Sequence, residues 1–111
     1  MEAQRDTSGH AELIKAAVEA IVAASAPHRV VLFGSHARGD AGPDSDLDFL
    51  VITAPGTHRR DTAKAIYRAL ARLGVAVDVV VVTTEDVAAY ADASGLVIGA
   101  ALAEGRELYA A

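Results

Sequence analysis

The sequence predicts an α/β fold, a short mixed sheet flanked by helices, and three observations predict it. Three aliphatic runs have the length and composition of strands: Val30–Phe33, Leu47–Thr53 and Val75–Val82. Helical patterns alternate with them, at about 11–26, about 58–73 and again after Thr83–Thr84. The link between the first two strands is too short for a parallel crossover helix, so those strands pair antiparallel.

Size and composition limit what such a fold can do. With 111 residues, a single domain spanning 1–111 is expected, with a real but small core. Apolar residues make up 52% of the chain and aromatics only 5%, so Ala, Val, Leu and Ile must build that core. A net charge of −5 argues against a general nucleic-acid binder, because phosphate contacts need a surplus of Lys and Arg. There is no cysteine, which excludes disulfides and thiolate zinc sites. The opening residues, MEAQRDTSGH, lack the apolar core of a signal peptide. The longest aliphatic cluster, Val75–Val82, is broken by Asp78 and falls short of a membrane span. A soluble cytoplasmic protein with no membrane partner is the expectation.

Taken in order, residues 1–9 read as a frayed start. From about Ala11, Leu13, Ala17, Ile21 and Ala24 form one stripe, with Ile14, Val18 and Val22 beside it, as in an amphipathic helix. Pro27 ends that helix at about Ala26. Val30–Phe33 is a short buried strand, and Ser35–Arg38 has room for one helical turn. Gly39–Ser45, rich in Gly, Asp, Ser and Pro, is a turn. Leu47–Thr53 is apolar on both faces and is therefore central in the sheet. The second long helix has Ala63, Ile66, Tyr67, Leu70 and Leu73 as its apolar face and Gly74 as its C′ stop. After the Val75–Val82 strand, Thr83 or Thr84 can cap a helix whose first turn carries Glu85 and Asp86. Small helical pieces run to Glu104, followed by Gly105 and a short Glu107–Tyr109 segment.

The stretch Gly34–Asp48, GSHARGDAGPDSDLD, concentrates the chemistry. A Gly-Ser turn after a strand can offer backbone N–H groups and a hydroxyl to a phosphate. Ten residues later come Asp46 and Asp48, at i and i+2. On a strand these carboxylates share a face, and their hard oxygens suit Mg²⁺. A phosphate cradle facing a divalent-metal site is equipment for phosphoryl or nucleotidyl transfer. Asp48 shares its strand face with Leu50 and Ile52, so it points toward a buried side, where an unpartnered carboxylate is costly. Arg38 can neutralise phosphate charge or stand in solvent. Asp40 and Asp44 are most simply turn residues.

Asp78, alone inside VAVDVVVV, reads by itself as a charge that protects an edge strand from aggregation. Arg60, Lys64, Arg68 and Arg72 recur every four residues, the pattern of a solvated helix face, with a docking face for a partner or an RNA as the alternative. No G-x-x-x-x-G-K-[ST] is present, which removes the P-loop. His10, His28, His36 and His58 lack H-x-x-x-H spacing, which argues against zinc. Ser35 has no evident His/Asp partners for a hydrolase triad.

Gly34-Ser35, ten residues, then Asp46-x-Asp48 resembles the signature of minimal nucleotidyltransferases in the DNA-polymerase-β superfamily, over most of the chain. Small members of that family serve as antitoxins beside HEPN-type toxins. The resemblance implies the small polymerase-β-like nucleotidyltransferase fold. It implies that Gly34 and Ser35 hold the nucleotide's β- and γ-phosphates, with Arg38 nearby. It implies that Asp46, Asp48 and Asp78 bind two Mg²⁺ ions, and that Asp78 draws the proton from the acceptor hydroxyl. His36 stands where relatives carry an arginine or an aromatic residue, so no role carries over. The expected donor is ATP, and the expected acceptor is a tyrosine of a cognate HEPN ribonuclease toxin. Two rivals remain: an antitoxin that acts by binding alone, and a transferase for a small hydroxylated substrate such as an aminoglycoside. Enzymes of the latter kind normally add a substrate-binding domain, for which this chain leaves no room. A compact domain without a second lobe should hold its site open at one edge of the sheet.

Overall fold

The computed structural model describes residues 2–42, 44–90 and 96–111, with side chains described from His10 onward. Met1 of the expected frayed start, Pro43 of the expected turn and residues 91–95 of the expected helical pieces lie outside the described residues.

The chain order is α1 (Glu2–Ser25), β1 (Arg29–Phe33), α2 (Ser35–Arg38), β2 (Leu47–Thr53), α3 (Arg59–Leu70), β3 (Val77–Thr83), α4 (Thr84–Tyr90), α5 (Val97–Glu104) and β4 (Arg106–Ala110). The four strands form one mixed sheet in the order β3-β2-β1-β4. β1 runs antiparallel to both β2 and β4, while β2 and β3 run parallel. The antiparallel pairing across the short Gly34–Asp46 link and the central place of β2 match the expectation. Six of the seven residues of β2 are buried, as a strand covered on both faces requires.

One sheet face packs on α1 and α3. Val30, Leu32, Leu47, Phe49 and Val51 meet Ala17, Ala20 and Ile21 of α1 and Ile66 and Leu70 of α3. On the other face Val31, Leu50, Ile52 and Val82 meet Ile98 and Ala101 of α5. The basic residues Arg60, Lys64, Arg68 and Arg72 point outward from the α3 segment and are exposed.

Several details differ from the sequence reading, among them β3, which runs Val77–Thr83 rather than Val75–Val82. The first helix begins at Glu2 rather than near Ala11, since Glu2, Ala3, Gln4 and Arg5 are all good helix formers. It ends at Ser25, and Ala26 (φ 44°) takes the left-handed stop, its N–H donating to the Val22 carbonyl at 2.9 Å. The Glu107–Tyr109 segment belongs to a strand, β4, which covers the outer edge of β1. The Gly74 stop falls where expected, and His58 provides a cap that the sequence reading does not name. His58 caps α3 by accepting from the Asp61 N–H, and Gly74 (φ 67°) ends the 3₁₀ turn Ala71–Leu73 that follows α3. Among the described residues no helix is long and apolar enough to cross a membrane.

Candidate functional site

The strand directions bring three chain segments to one end of the sheet. The last residue of β1, Phe33, is opposite Asp48, and Asp48 is in register with Asp78 of β3. Register partners on adjacent parallel strands share a face, so these two carboxylates stand side by side on the α5 side of the sheet. Asp46 lies just before β2 and is exposed, as is Asp78, while Asp48 is half-buried. β3 is an edge strand, so Asp78 stands at the open edge of the sheet.

β1 leads directly into the turn that faces these acids. Gly34 adopts φ 77°, a left-handed conformation that favours glycine. It is also crowded: a Cβ built there would run into the Asp48 carboxylate. Glycine at this position therefore serves both the turn and the close approach of Asp48. Gly34 is the N-cap residue of α2, without a side-chain cap, so Ser35 is the first helical residue and its hydroxyl is not spent on capping. By position, the Ser35 and His36 N–H groups have no intrahelical acceptor.

Electrostatics mark the same place. Burial first, then the neighbouring charges of Asp78 and Asp46, push the Asp48 carboxyl above the ordinary carboxylate range, while His36 and Arg38 pull the other way. Among the described residues, none of the ion pairs involves Asp46, Asp48 or Asp78. Three acidic side chains with no cationic partner among the described residues form a donor set of the type that hard divalent cations take. As placed, they are not converged: among the described residues no three His, Cys, Asp or Glu side chains form a ready metal cage.

Arg38 is placed differently from a free phosphate ligand. Its Nε donates to Asp40 at 3.3 Å and its Nη1 to Glu104 at 3.2 Å, and these acids, Asp40 foremost, hold the guanidinium more firmly protonated. Asp40 is thus more than a turn residue. Glu104 escaped the sequence reading because it lies 66 residues from Arg38, with no spacing to reveal the contact. His36, to which the sequence reading gave no role, makes contacts of its own: its Nε2 lies 3.2 Å from the Ser45 carbonyl and its ring meets His10 of α1 edge-on at 5.0 Å.

Comparison with known proteins agrees with this geometry. A family model for the nucleotidyltransferase domain matches residues 13–98, which include all of the site residues above except Glu104 and His10. No curated protein matches the chain. In fold, the chain is similar to the crystal structure of a candidate nucleotidyltransferase from Sulfolobus solfataricus, at 20% identity and a TM-score of 0.56, over 89% of this chain and 78% of that one. With a family match over most of its length and a shared fold, the chain belongs to the nucleotidyltransferase domain family.

Proposed function

We propose that this protein is a Mg²⁺-dependent cytoplasmic nucleotidyltransferase that moves AMP from ATP to a tyrosine of a cognate HEPN ribonuclease toxin, and so acts as its antitoxin. The observation that carries the reading is the register match of Asp48 with Asp78, with Asp46 beside them and the Gly34–Ser35 turn in front. The resemblance to minimal nucleotidyltransferases supports the choice of donor, acceptor and partner.

Asp46, Asp48 and Asp78 would hold the divalent ions. Bound there, Mg²⁺ supplies charge neutralisation and Lewis-acid stabilisation of the entering and leaving oxygens. The chain's own residues do the rest. The Ser35 hydroxyl and the first-turn N–H groups of α2 orient the β- and γ-phosphates, removing rotational freedom before the reaction. The tyrosine oxygen attacks the α-phosphorus, and its proton passes to the Asp78 carboxylate. The bond from the α-phosphorus to the bridging oxygen breaks, and pyrophosphate leaves. Asp78 is exposed on an edge strand, so a hydroxyl presented by another protein reaches it without a lid having to open. Binding across a wider protein surface would provide the orientation that a small acceptor must get from an enclosing pocket.

The test is co-expression with the adjacent gene product, which this reading expects to be a HEPN toxin, followed by mass spectrometry. The toxin should carry one or more AMP groups on tyrosine with the wild-type chain and none with Asp46→Ala/Asp48→Ala. An unmodified toxin that the double variant still neutralises would establish inhibition by binding and remove the transferase reading of its role.

A further inference from the structure

Asp48 and Asp46 are held in different ways. Asp48 sits within the β2 ladder, hydrogen-bonded strands on either side. Asp46 precedes the strand, on the loop that returns from α2, where the ladder does not reach it. Yet the peptide units on both sides of Asp46 are tied down. The following one is fixed by the Leu47 N–H, which donates to the Ala76 carbonyl at 3.0 Å. The preceding one contains the Ser45 carbonyl and the Asp46 nitrogen, and its oxygen lies 3.2 Å from His36 Nε2. A carbonyl can only accept, so Nε2 carries the proton and donates. Fixing both flanking peptide planes fixes the Cα of Asp46 and the direction of its Cβ.

The clamp is itself braced. The His36 ring meets His10 of α1 in an edge-on contact, centroids 5.0 Å apart, a favoured geometry for aromatic pairs. The loop end is tightened from within: Gly42 N–H donates to Ser45 Oγ at 2.8 Å, and Ser45 N–H donates to the Gly42 carbonyl at 3.2 Å. Nothing else described on α2 reaches this peptide.

We infer that His36 is a positioning residue for Asp46: its imidazole N–H, seated against His10, sets the Ser45–Asp46 peptide plane and thereby aims the Asp46 carboxylate at the site. The inference rests on the proposed reading of Asp46 as a ligand. It differs from that reading in naming a side chain to which that reading gives no contact with metal or nucleotide. Partners that orient a ligand in this way typically matter by 10–100-fold in affinity or activity.

The experiment uses Mn²⁺ as probe, measured by calorimetry on the full chain, with the rate and KM of transfer from ATP as a second readout. His36→Phe keeps an aromatic ring against His10 and loses the donor; His36→Gln keeps a donor. His36→Phe should bind Mn²⁺ about tenfold more weakly, and its kcat should fall by a larger factor than its KM for ATP rises. His36→Gln should recover most of both losses, and the Asp46 amide resonance should shift in His36→Phe but stay near its wild-type position in His36→Gln. A purely structural role would not be rescued by Gln in Mn²⁺ affinity while leaving the melting temperatures of the two variants alike. Wild-type Mn²⁺ affinity in His36→Phe, or equal loss in both variants, overturns the inference and leaves the transferase reading standing. A wild-type chain that binds no Mn²⁺ and transfers nothing overturns both.

Discussion

A carboxylate half-buried beside two others is disfavoured in its charged form, and at Asp48 this appears as a proton held to higher pH than usual. The sign for stability follows from proton counts. Between the ordinary carboxylate range and the raised value, the folded chain binds more protons at Asp48 than the unfolded chain. Stability from this group therefore falls as pH rises through that window. Asp48→Asn removes the effect. The variant should melt at a higher temperature than the wild type near neutral pH without divalent ions, and the difference should close on acidification; calorimetric scans at several pH values check this. Asp78→Asn should likewise keep the fold, and should lose transfer activity by at least about 100-fold, the low end of what a positioned base contributes. Transfer at the wild-type rate would leave Asp78 as an edge-strand charge only. At this scale the sequence was informative wherever the signal is local. Gly34, Ser35, Asp46 and Asp48 announce themselves by spacing, and Asp78 by its isolation among valines. The Arg38–Glu104 and His36–His10 contacts depend on where separate segments meet, and the His36–Ser45 contact on how the loop between them closes, which no spacing encodes.

Elements were legible in proportion to how strongly their ends are punctuated. The α3 segment, with a polar cap at His58 and Gly74 at its far end, lies where the sequence places it. β4 was not recognised as a strand, because its five residues alternate too briefly to show a period. The start of α4 is a case where local chemistry suffices. Thr83 Oγ accepts from the Asp86 N–H at 3.2 Å, and the Thr83 N–H donates to the Asp86 carboxylate at 2.9 Å, a reciprocal cap. The bond from the Thr83 N–H, foremost, holds the Asp86 carboxyl below its usual range. A depressed carboxyl stabilises the fold above its unfolded value and loses that contribution as pH falls through the folded one. Asp86→Ala should therefore destabilise the chain by about 1 kcal/mol near neutral pH, with the difference shrinking in acid. Urea titrations at two pH values measure it. A difference that grows in acid would mean the cap is not what Asp86 contributes.

At the scale of the whole molecule, the sheet order decides what protects what. β2, the strand bearing Asp48, is interior, and β1, which delivers Gly34 and Ser35, is interior only because β4 lies outside it. The outer edge of β3 is occupied in part by Tyr67, whose hydroxyl accepts from the Val79 N–H at 2.8 Å, so this edge resists further strand pairing. No such device would remain on β1 without β4. Its sequence, RVVLF, is a short apolar strand of the kind that recruits other chains when its edge is bare. β4 also contributes Leu108 and Tyr109, half-buried against the α1 face of the sheet. At roughly half of the 1.5–3 kcal/mol assigned to full burial of a large apolar side chain, the two together contribute about 1.5–3 kcal/mol. Removing residues 106–111 should therefore lower the melting temperature by about 10 °C and cause aggregation on heating that the full chain does not show. The Gly34–Ser35 turn is carried by β1, so ATP affinity should fall with it, even though no nucleotide contact has been deleted. Light scattering during a thermal ramp, with calorimetry of ATP and Mg²⁺ on the same samples, tests the chain of cause. A truncated protein that melts with the full-length chain and binds ATP equally would show that β4 neither guards the β1 edge nor supports the site.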